Sequence, residues 1–405
     1  MNCRSCGDLL TSEILNLGFA PPSNSYLSQD QLSKPEKHFP LRILACETCW
    51  LVQTADFLAP EELFTATYAY LSSTSDSWLL HSQKFVQDIS AEMNLNLESF
   101  VVEIASNDGY LLQYFKDAGV PHLGVEPALG PAEIARSKGI ETLCEFFGES
   151  LAIEISTNRG KADLIIGINV FAHVPNLNDF TAGLARLLTE KGTISLEFPH
   201  LLNLIKGNQF DTVYHEHFSY LSIGSVKKLL SRHSLEIYEV INLKTHGGSV
   251  RINIGHSGVH PVSKSVGNVI QEETSAGLFR IEALSSLQEG AVTAKHNLLT
   301  FLLDSKRLGK TVIGLGAAAK GNTFLNFAGI TSDLLPFVSD GAKSKQGMLL
   351  PGSHIPIVSP EEVLDMHIDI GIIFPWNLYA ELSAQYKALL GPDVDLIPAN
   401  YFLEM

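Results

Sequence analysis

The sequence predicts an α/β protein with a doubly wound parallel sheet, a second and smaller α/β unit, and a small cysteine-bearing module at the N-terminus. Three observations carry this prediction. Short apolar runs alternate with amphipathic helical segments between residues 99 and 254, and the same alternation restarts at residue 310. Four of the five cysteines fall into two Cys-x-x-Cys pairs. Continuous apolar strands between helices are typical of a parallel sheet covered on both faces.

The two cysteine pairs lie within the first 50 residues of the chain. Cys3-Arg-Ser-Cys6 and Cys46-Glu-Thr-Cys49 offer the four thiolates that a tetrahedral structural zinc site requires. We therefore predict Zn²⁺ bound by these cysteines, in a module spanning residues 1–65. Four unrelated thiols, or a redox pair, are the alternatives. Cys144 is left over and is expected to be buried.

The bulk composition restricts the class of protein. A chain of 405 residues is long enough for two domains and a smaller module. Its net charge of −16 disfavours nonspecific binding to nucleic acid, which needs basic surface. No window approaches the ~18 unbroken apolar residues of a membrane helix, and the N-terminus carries no apolar signal region. We expect a cytoplasmic enzyme, a monomer or weak homo-oligomer, with neither membrane nor nucleic acid as a partner.

The element pattern divides the rest of the chain in two. In residues 66–256 the predicted strands are 100–104, 122–126, 162–168 and 192–198, followed by an edge hairpin of 235–240 and 249–254. In residues 257–405 a helical connector, 257–308, precedes strands at 310–316, 334–338, 370–374 and 394–397.

Two acidic turns close the first two strands of the central unit. Glu103-Ile-Ala-Ser-Asn-Asp-Gly109 ends the first strand and opens a helix, and Gly124-Val-Glu126 ends the second. Ligands of open α/β sheets bind at the carboxyl ends of strands. A turn with one glycine and flanking acids is a poor phosphate site, but it suits a cofactor with a cationic end. A carboxylate at 126 is placed to accept hydrogen bonds from ribose hydroxyls.

Together these features resemble class I S-adenosylmethionine-dependent methyltransferases, whose fold is Rossmann-like. The 103–109 turn is similar to their first motif and Glu126 to their ribose-binding acid. Asn169-Val-Phe-Ala-His173 falls where that family lines the cofactor and substrate cleft. An unrelated Rossmann-like domain is the alternative. The resemblance implies cofactor contacts at Glu103, Ala105, Asn107, Gly109, Tyr110, Glu126, Pro127, Asn169, Val170 and His173.

A glycine turn opens the first helix of the second α/β unit. Gly314-Leu-Gly-Ala-Ala-Ala-Lys-Gly-Asn322 follows a strand, an arrangement in which helix N-terminal amides bind anions. Lys320 and Lys345 add positive charge. The turn is interpreted either as a nucleotide-diphosphate site or as a tight structural turn. The substrate contacts expected here are Gly316, Ala317, Lys320, Gly321, Asn322, Thr323, Asp340, Lys345 and Gln346.

Over essentially its whole length the chain is similar to nucleotide-sugar C-methyltransferases that act on dTDP-linked 4-keto-deoxysugars. The match rests on Tyr214-His-Glu-His-Phe-Ser-Tyr220, supported by Tyr68-Ala-Tyr-Leu-Ser-Ser73 and Gly314–Asn322. It implies a zinc module, a class I methyltransferase domain and a C-terminal Rossmann-like domain that binds the nucleotide diphosphate. It further implies S-adenosylmethionine-dependent C-methylation of a dTDP- or GDP-linked 4-keto-deoxysugar, in deoxysugar, polysaccharide or natural-product biosynthesis.

Carbon methylation next to a ketone needs a base for the α proton and a donor for the enolate oxygen. Histidine suits the first role, and tyrosine or a second histidine suits the other. The resemblance points to His217 as base, with Tyr214 and Glu216 in support. The other candidate catalytic residues are Tyr68, Tyr70 and His215.

Other interpretations remain for this stretch and for the chain. In a strand, His215 and His217 would share a face and Glu216 would point away, but two ligands are too few for a metal site. A polar seam between domains is the remaining interpretation of the stretch. For the whole chain the alternatives are a nicotinamide-dependent nucleotide-sugar oxidoreductase and a non-catalytic, zinc-anchored nucleotide-sugar-binding scaffold.

Overall fold

The computed structural model describes residues 1–55 and 71–404. Its strands are β1 (Ser12–Ala20), β2 (Phe39–Ala45), β3 (Val52–Thr54), β4 (Val101–Ile104), β5 (His122–Val125), β6 (Thr142–Leu143), β7 (Ala162–Ile168), β8 (Leu188–Pro199), β9 (Ser219–Tyr220), β10 (Leu235–Leu243), β11 (Ser249–His256), β12 (Val312–Leu315), β13 (Val338–Ser339), β14 (Ile357–Val358), β15 (Ile370–Ile373) and β16 (Asp395–Pro398). Its α-helices are α1 (Asp76–Met93), α2 (Leu112–Asp117), α3 (Leu129–Ser137), α4 (Glu149–Arg159), α5 (Leu177–Leu187), α6 (Leu201–Lys206), α7 (Ile223–Ser231), α8 (Lys264–Ser275), α9 (Ile281–Arg307), α10 (Ala319–Ala328), α11 (Tyr379–Leu390) and α12 (Tyr401–Glu404).

The central sheet has the order β10-β11-β8-β7-β4-β5-β6. Its strands run parallel except β11, which pairs antiparallel with β8 and β10. The predicted doubly wound sheet and the hairpin at its edge are therefore confirmed. Strand β7 explains the continuous apolar signal, since Leu164 and Ile166 pack into one core and Ile165 into another. Helices cover both faces, so neither side of the strand faces water.

The N-terminal sheet contains a strand from a distant part of the chain. Its order is β1-β2-β3-β9, with antiparallel pairing throughout. Strand β1 was not predicted. Irregularities in its pairing with β2 break the period-two pattern that marks a half-buried strand. Strand β9 lies directly after the His-Glu-His stretch and adds to the edge of β3.

The C-terminal sheet is fully parallel, with the order β14-β13-β12-β15-β16. This confirms the second α/β unit. The strand predicted at 334–338 was wrong in extent, because β13 begins only at Val338. Backbone amides of Leu334 and Leu335 instead bond the Thr331 carbonyl in a turn, and Pro336 has no amide hydrogen to offer a ladder.

One apolar core joins all three parts of the chain. It contains Ile43 of β2, Phe210 from the central segment, Leu284 of α9 and Phe324 of α10. Among the described residues, no helix has both the length and the apolar character needed to cross a membrane.

Candidate active site

The turn at residues 103–109, where the cofactor is expected to bind, has an unusual backbone. Ala105 and Asn107 have φ values of 57° and 48°, and Gly109 has a φ of 76°. Left-handed backbone is rare for alanine and is concentrated at functional sites. At Gly109 an added Cβ would lie 2.5 Å from the Ile140 side chain, so only glycine fits. The sequence therefore builds a sharp turn at the carboxyl end of β4.

Glu126 holds this turn to the end of β5. One carboxylate oxygen accepts the Asn107 amide at 2.9 Å and the other accepts the Ala128 amide at 2.8 Å. Burial raises the pKa of Glu126, and these two hydrogen bonds oppose the rise. Pro127 lies between, with its carbonyl 3.6 Å from the Cys144 sulfur. Cys144 itself is half-buried, so the expectation that it is buried was wrong. It directly follows β6, the edge strand of the central sheet, which explains its partial exposure.

Two buried polar atoms at this edge have no hydrogen-bond partner among the described residues. They are Oδ1 of Asp108 and Oδ1 of Asn169. Burial raises the pKa of Glu103 well above its ordinary value, and interaction with the Tyr110 side chain opposes this only in part. Buried acceptors without donors are rare and costly. This edge therefore fits a ligand that brings hydrogen-bond donors, as the amino and hydroxyl groups of S-adenosylmethionine would.

The segment after β7 reaches beyond the predicted cofactor edge. Asn169 has a φ of 54°, Val170 follows it, and a 3₁₀ turn of Phe171–His173 comes next. His173 donates from Nδ1 to the backbone carbonyl of Glu216 at 2.8 Å. Its ring centre lies 4.7 Å from that of His217. Burial lowers the pKa of His173 to about 4, so the ring is neutral near pH 7.

The His-Glu-His stretch forms a turn, so the strand arrangement in which His215 and His217 would share a face does not apply. The His217 amide bonds the Tyr214 carbonyl at 3.0 Å, which brings the rings of these two residues to 4.0 Å between centres. His217 donates from Nδ1 to the Thr212 carbonyl at 2.8 Å. A carbonyl only accepts, so the proton lies on Nδ1 and the basic nitrogen is Nε2.

The carboxylate of Glu216 binds a side chain of the N-terminal module. Its two carboxylate oxygens accept from the side-chain amide of Asn24, at 2.7 and 2.9 Å. Burial raises the pKa of Glu216 to about 7, and Asn24 opposes the rise. Asn24 was missed as a site residue because it lies in a proline turn about 190 positions away, where the only signal was the turn itself.

His215 points away from the other side chains of the stretch. Its ring lies edge-on to Phe39 of β2, with 6.1 Å between ring centres. Neither ring nitrogen has a hydrogen-bond partner within the described residues, and burial lowers the pKa of His215. Within residues 1–55 and 71–404, the four cysteines are the sole group of three or more potential metal ligands. The structure therefore separates His215 from His217, and the described residues form no metal site at this stretch.

Tyr68 and Tyr70 lie outside the described residues. Contacts on either side of residues 56–70 lead to the two halves of the site. The Thr54 hydroxyl donates to the His217 carbonyl at 3.2 Å, and the Ser72 amide donates to the Asn107 side chain at 2.9 Å.

The residues predicted to bind the nucleotide diphosphate lie close together at the carboxyl ends of β12 and β13. Asp340 accepts from the Ala317 amide at 2.7 Å, and Lys345 donates to the Ala317 carbonyl at 3.0 Å. Gln346 donates to the Asp340 carbonyl at 3.0 Å. Tyr26, which sequence reasoning missed, donates its hydroxyl to the Ala317 carbonyl at 2.7 Å. An added Cβ at Gly316 would lie 2.5 Å from Pro375, so the glycine permits a close approach of the two turns.

Lys320 lies at the seam between the central and C-terminal units. Its Nζ is 4.0 Å from the ring centre of Trp376 and donates to Asn377 at 3.1 Å. Trp376 in turn donates to the Asp211 carboxylate at 2.6 Å. Burial lowers the pKa of Lys320 to about 8, and the charge of Asp211 opposes this.

The next residues of α10 connect to the other parts of the chain. Gly321 packs against Phe374, where a Cβ would lie at 2.6 Å. Asn322 reaches the Ser23 carbonyl at 3.5 Å. Thr323 donates to the Val213 carbonyl at 3.0 Å, next to Tyr214. Tyr214–His217 therefore lies where all three parts of the chain meet.

The four cysteines of the N-terminal module form one cluster. Their sulfur atoms lie within 4.8 Å of one another. Cys3 and Cys49 are 3.4 Å apart, as are Cys6 and Cys46. The hydrogen bond from Cys3 lowers the pKa of Cys49 to about 5, which favours a thiolate there. Four convergent sulfurs fit a tetrahedral zinc ion.

Three family models match the three parts of the chain one by one, and one curated protein matches nearly its whole length. A family model described as "Putative zinc binding domain" matches residues 3–64, one described as "Methyltransferase domain" matches residues 78–240, and one described as "C-methyltransferase C-terminal domain" matches residues 244–398. C-methyltransferase NovU of Streptomyces niveus is 33% identical over 389 residues, which are 96% of this chain and 92% of that protein.

Solved structures match less than half of the chain, at lower identity. An S-adenosylmethionine-dependent methyltransferase from Clostridium acetobutylicum ATCC 824 gives a TM-score of 0.36 at 14% identity, over 44% of this chain and 92% of that one. Magnesium protoporphyrin IX methyltransferase from Synechocystis PCC 6803, with bound SAM, gives 0.33 at 17% identity, over 45% and 82%. These low scores add nothing to the assignment below.

The sheet order, the turn after β4 and the methyltransferase-domain match define a class I methyltransferase. The near full-length likeness to NovU shows more, and the chain belongs to the family of C-methyltransferases in which a zinc-binding module, a methyltransferase domain and a C-methyltransferase C-terminal domain are joined. Membership supports S-adenosylmethionine as methyl donor and zinc at the cysteine cluster. It favours methyl transfer over the nicotinamide alternative.

Proposed function

We propose that this protein methylates a carbon atom next to the ketone of a 4-keto-deoxysugar linked to a nucleoside diphosphate. The supporting observation is the place of His217. Its ring lies 4.7 Å from His173, which follows a methyltransferase strand, and its turn bonds Thr323 of the C-terminal unit through Val213. A substrate at this junction has the methyl donor on one side and an anion-binding turn on the other.

His217 acts as the general base in this proposal. With Nδ1 bonded to Thr212, Nε2 takes the proton from the carbon beside the ketone, and the C–H electron pair becomes the enolate. Histidine is basic enough near neutral pH for this step. Bound S-adenosylmethionine supplies the electrophilic methyl group that the enolate carbon receives.

Tyr214 and His173, whose rings both lie beside the His217 ring, support the reaction in this proposal. The Tyr214 hydroxyl is a donor of the kind that stabilises a developing enolate oxygen. His173 is neutral and already donates to the Glu216 carbonyl, so its contribution is to hold the turn. Glu216, buried beside Asn24, supports the turn from the opposite side.

In this proposal the nucleoside diphosphate of the substrate binds at the N-terminus of α10. Unpaired amides at a helix N-terminus attract anions, and Lys320 and Lys345 supply positive charge. Lys345 contacts the Tyr26 ring at 5.5 Å from its centre, so the tyrosine offers an aromatic surface beside the charge. These features support a nucleoside diphosphate and leave its base open.

Mass spectrometry of reactions with dTDP- and GDP-linked 4-keto-6-deoxysugars tests the proposal. We expect one member of the panel to gain a methyl group while S-adenosylhomocysteine forms. His217→Asn should lower turnover by about 10²- to 10⁴-fold and leave S-adenosylhomocysteine affinity unchanged. His296→Asn, on the connector helix α9, is the matched control. Methylation by His217→Asn at the normal rate, or no product from any keto-sugar nucleotide, would refute the proposal.

A further inference from the structure

Arg4 lies inside the first cysteine knuckle and reaches out of it toward the active-site turn. Its guanidinium donates from Nη1 to the Phe218 carbonyl at 2.7 Å and to the Thr54 carbonyl at 3.1 Å. The same group lies 5.1 Å from the centre of the Phe218 ring. Arg4 therefore touches the residue directly after His217.

The strip that Arg4 contacts ties His217 to the N-terminal sheet. The Thr54 amide donates to the Phe218 carbonyl at 3.1 Å, and the Thr54 hydroxyl donates to the His217 carbonyl at 3.2 Å. Farther along, Gln53 pairs with Ser219 in the β3–β9 ladder. The chain leaving His217 thus continues into β9, the edge strand of the N-terminal sheet, and Arg4 binds Phe218, the residue just before that strand.

The knuckle itself fixes where Arg4 can point. Its amide donates to the Gln53 side chain at 2.8 Å, and its carbonyl accepts from Asn178 of α5 at 2.9 Å. Cys3 and Cys6 on either side converge with the other two cysteines. A metal bound to those sulfurs would hold both ends of the Cys3–Cys6 turn, and with them the direction of the guanidinium.

We propose that Arg4 is a positioning residue for His217, and that the metal-bound cysteine knuckle sets the alignment of the base through Arg4. The inference rests on the proposed function, since it presupposes that His217 removes the α proton. Charge-assisted hydrogen bonds from arginine are stronger than neutral ones. Their loss removes one charged donor from each of the Thr54 and Phe218 carbonyls at a buried strip, although the Phe218 carbonyl keeps the Thr54 amide. A displacement of about 1 Å near reacting atoms costs about 10²-fold in rate.

The test compares Arg4→Gln and Arg4→Lys with Arg42→Gln. Arg42 lies on β2 of the same N-terminal module but pairs with Glu13 at 2.9 Å, so it is the matched control. We expect Arg4→Gln to lower kcat by about 10- to 100-fold, with KM and S-adenosylhomocysteine affinity unchanged. Arg4→Lys, which keeps one charged donor, should recover part of the loss. After cobalt substitution, the three variants and the natural protein should have the same visible spectrum, since the cysteines are intact.

Two further measurements distinguish an effect on proton removal by His217 from a general loss of folded structure. Exchange of the substrate α proton in D₂O, with S-adenosylhomocysteine bound, reports on His217 without methyl transfer. It should slow in Arg4→Gln as much as kcat does, and chelation of the metal from the natural protein should slow it likewise. Amide hydrogen exchange of residues 211–220, which needs no substrate, should accelerate in Arg4→Gln and stay unchanged in Arg42→Gln.

The outcomes distinguish this inference from the proposed function. If His217→Asn abolishes α-proton exchange while Arg4→Gln behaves like Arg42→Gln, the positioning role is refuted and the base stands. If His217→Asn exchanges the proton normally, the proposed function is refuted, whatever Arg4 does. An Arg4→Gln protein that has lost its cobalt spectrum would also overturn the inference, since the residue would then serve only the metal site.

Discussion

His173 donates a hydrogen bond from Nδ1 to the backbone carbonyl of Glu216 at 2.8 Å. The bond joins the end of a methyltransferase strand to the turn that carries His217, across 43 positions of sequence. It makes His173 a link between the two halves of the site, in addition to its predicted place along the cofactor edge. Because burial lowers the pKa of His173 to about 4, the ring donates as a neutral group across the working pH range.

Substituting His173 should therefore affect turnover more than cofactor affinity. His173→Leu removes the donor and leaves the Glu216 carbonyl without it, and we expect kcat to fall by about 10- to 100-fold. His173→Asn keeps an N–H near the position of Nδ1 and should retain more activity. Steady-state kinetics and calorimetric titration with S-adenosylhomocysteine check this. Equal kcat in the two variants, or a loss confined to cofactor affinity, would contradict it.

The sequence predicted elements whose signal is local and missed those that depend on distant pairing. Strand β7 was predicted with its observed bounds, because both of its faces are covered and its apolar run is unbroken. Strand β9 has two residues and exists only because β3, about 165 positions earlier, lies beside it. No local pattern could have revealed it.

The residues of the candidate site also fall into those with a local sequence signal and those that depend on distant contacts. The acidic turn at 103–109 and the His-Glu-His stretch are recognisable as motifs, so their residues were named from the sequence. Asn24 and Tyr26 are ordinary polar residues in a turn. Only the contact of Asn24 with Glu216 and that of Tyr26 with Ala317, in the turn after β12, bring them to the site. The structure also shows that the stretch is a turn, which the side-chain pattern did not reveal.

Glu216 should make the protein less stable as the pH rises from about 5 to 8. Burial raises its pKa from 4.5 to about 7, so the folded state keeps a proton that the unfolded state releases above pH 4.5. Stability is then highest below that value and falls as the pH passes through 7, by roughly 3 kcal/mol from this group. Thermal melting of the ligand-free protein across this range measures the effect. Glu216→Gln removes the titrating group, and its melting temperature should vary less with pH; identical profiles would contradict the prediction.

Metal removal should unfold the N-terminal module. Cys46→Ser deletes one of the four convergent sulfurs, and we expect loss of bound zinc and a lower melting temperature, because metal binding contributes directly to folding. Cys144→Ser is the matched control, since Cys144 lies outside the cluster and should leave the zinc content unchanged. Elemental analysis and thermal melting check both. A natural protein that carries no zinc when purified in reducing buffer would contradict the prediction.

A buried glutamate of the connector should stabilise the central domain far more than its neighbour in sequence. Glu273 of α8 accepts from His200 at 2.7 Å and from the Ile223 and Gly224 amides, at 2.6 and 2.9 Å, at the start of α7. Glu273→Gln turns one of the two carboxylate oxygens into an NH₂ group, which cannot accept a hydrogen bond from these donors. We expect the free energy of unfolding to fall by roughly 3 kcal/mol. Glu272 is exposed and pairs with Lys206 at 3.3 Å, so Glu272→Gln should change stability by less than about 0.5 kcal/mol. Denaturant unfolding followed by tryptophan fluorescence compares the two variants, and similar midpoints would show that the buried acceptor contributes no more than a surface ion pair.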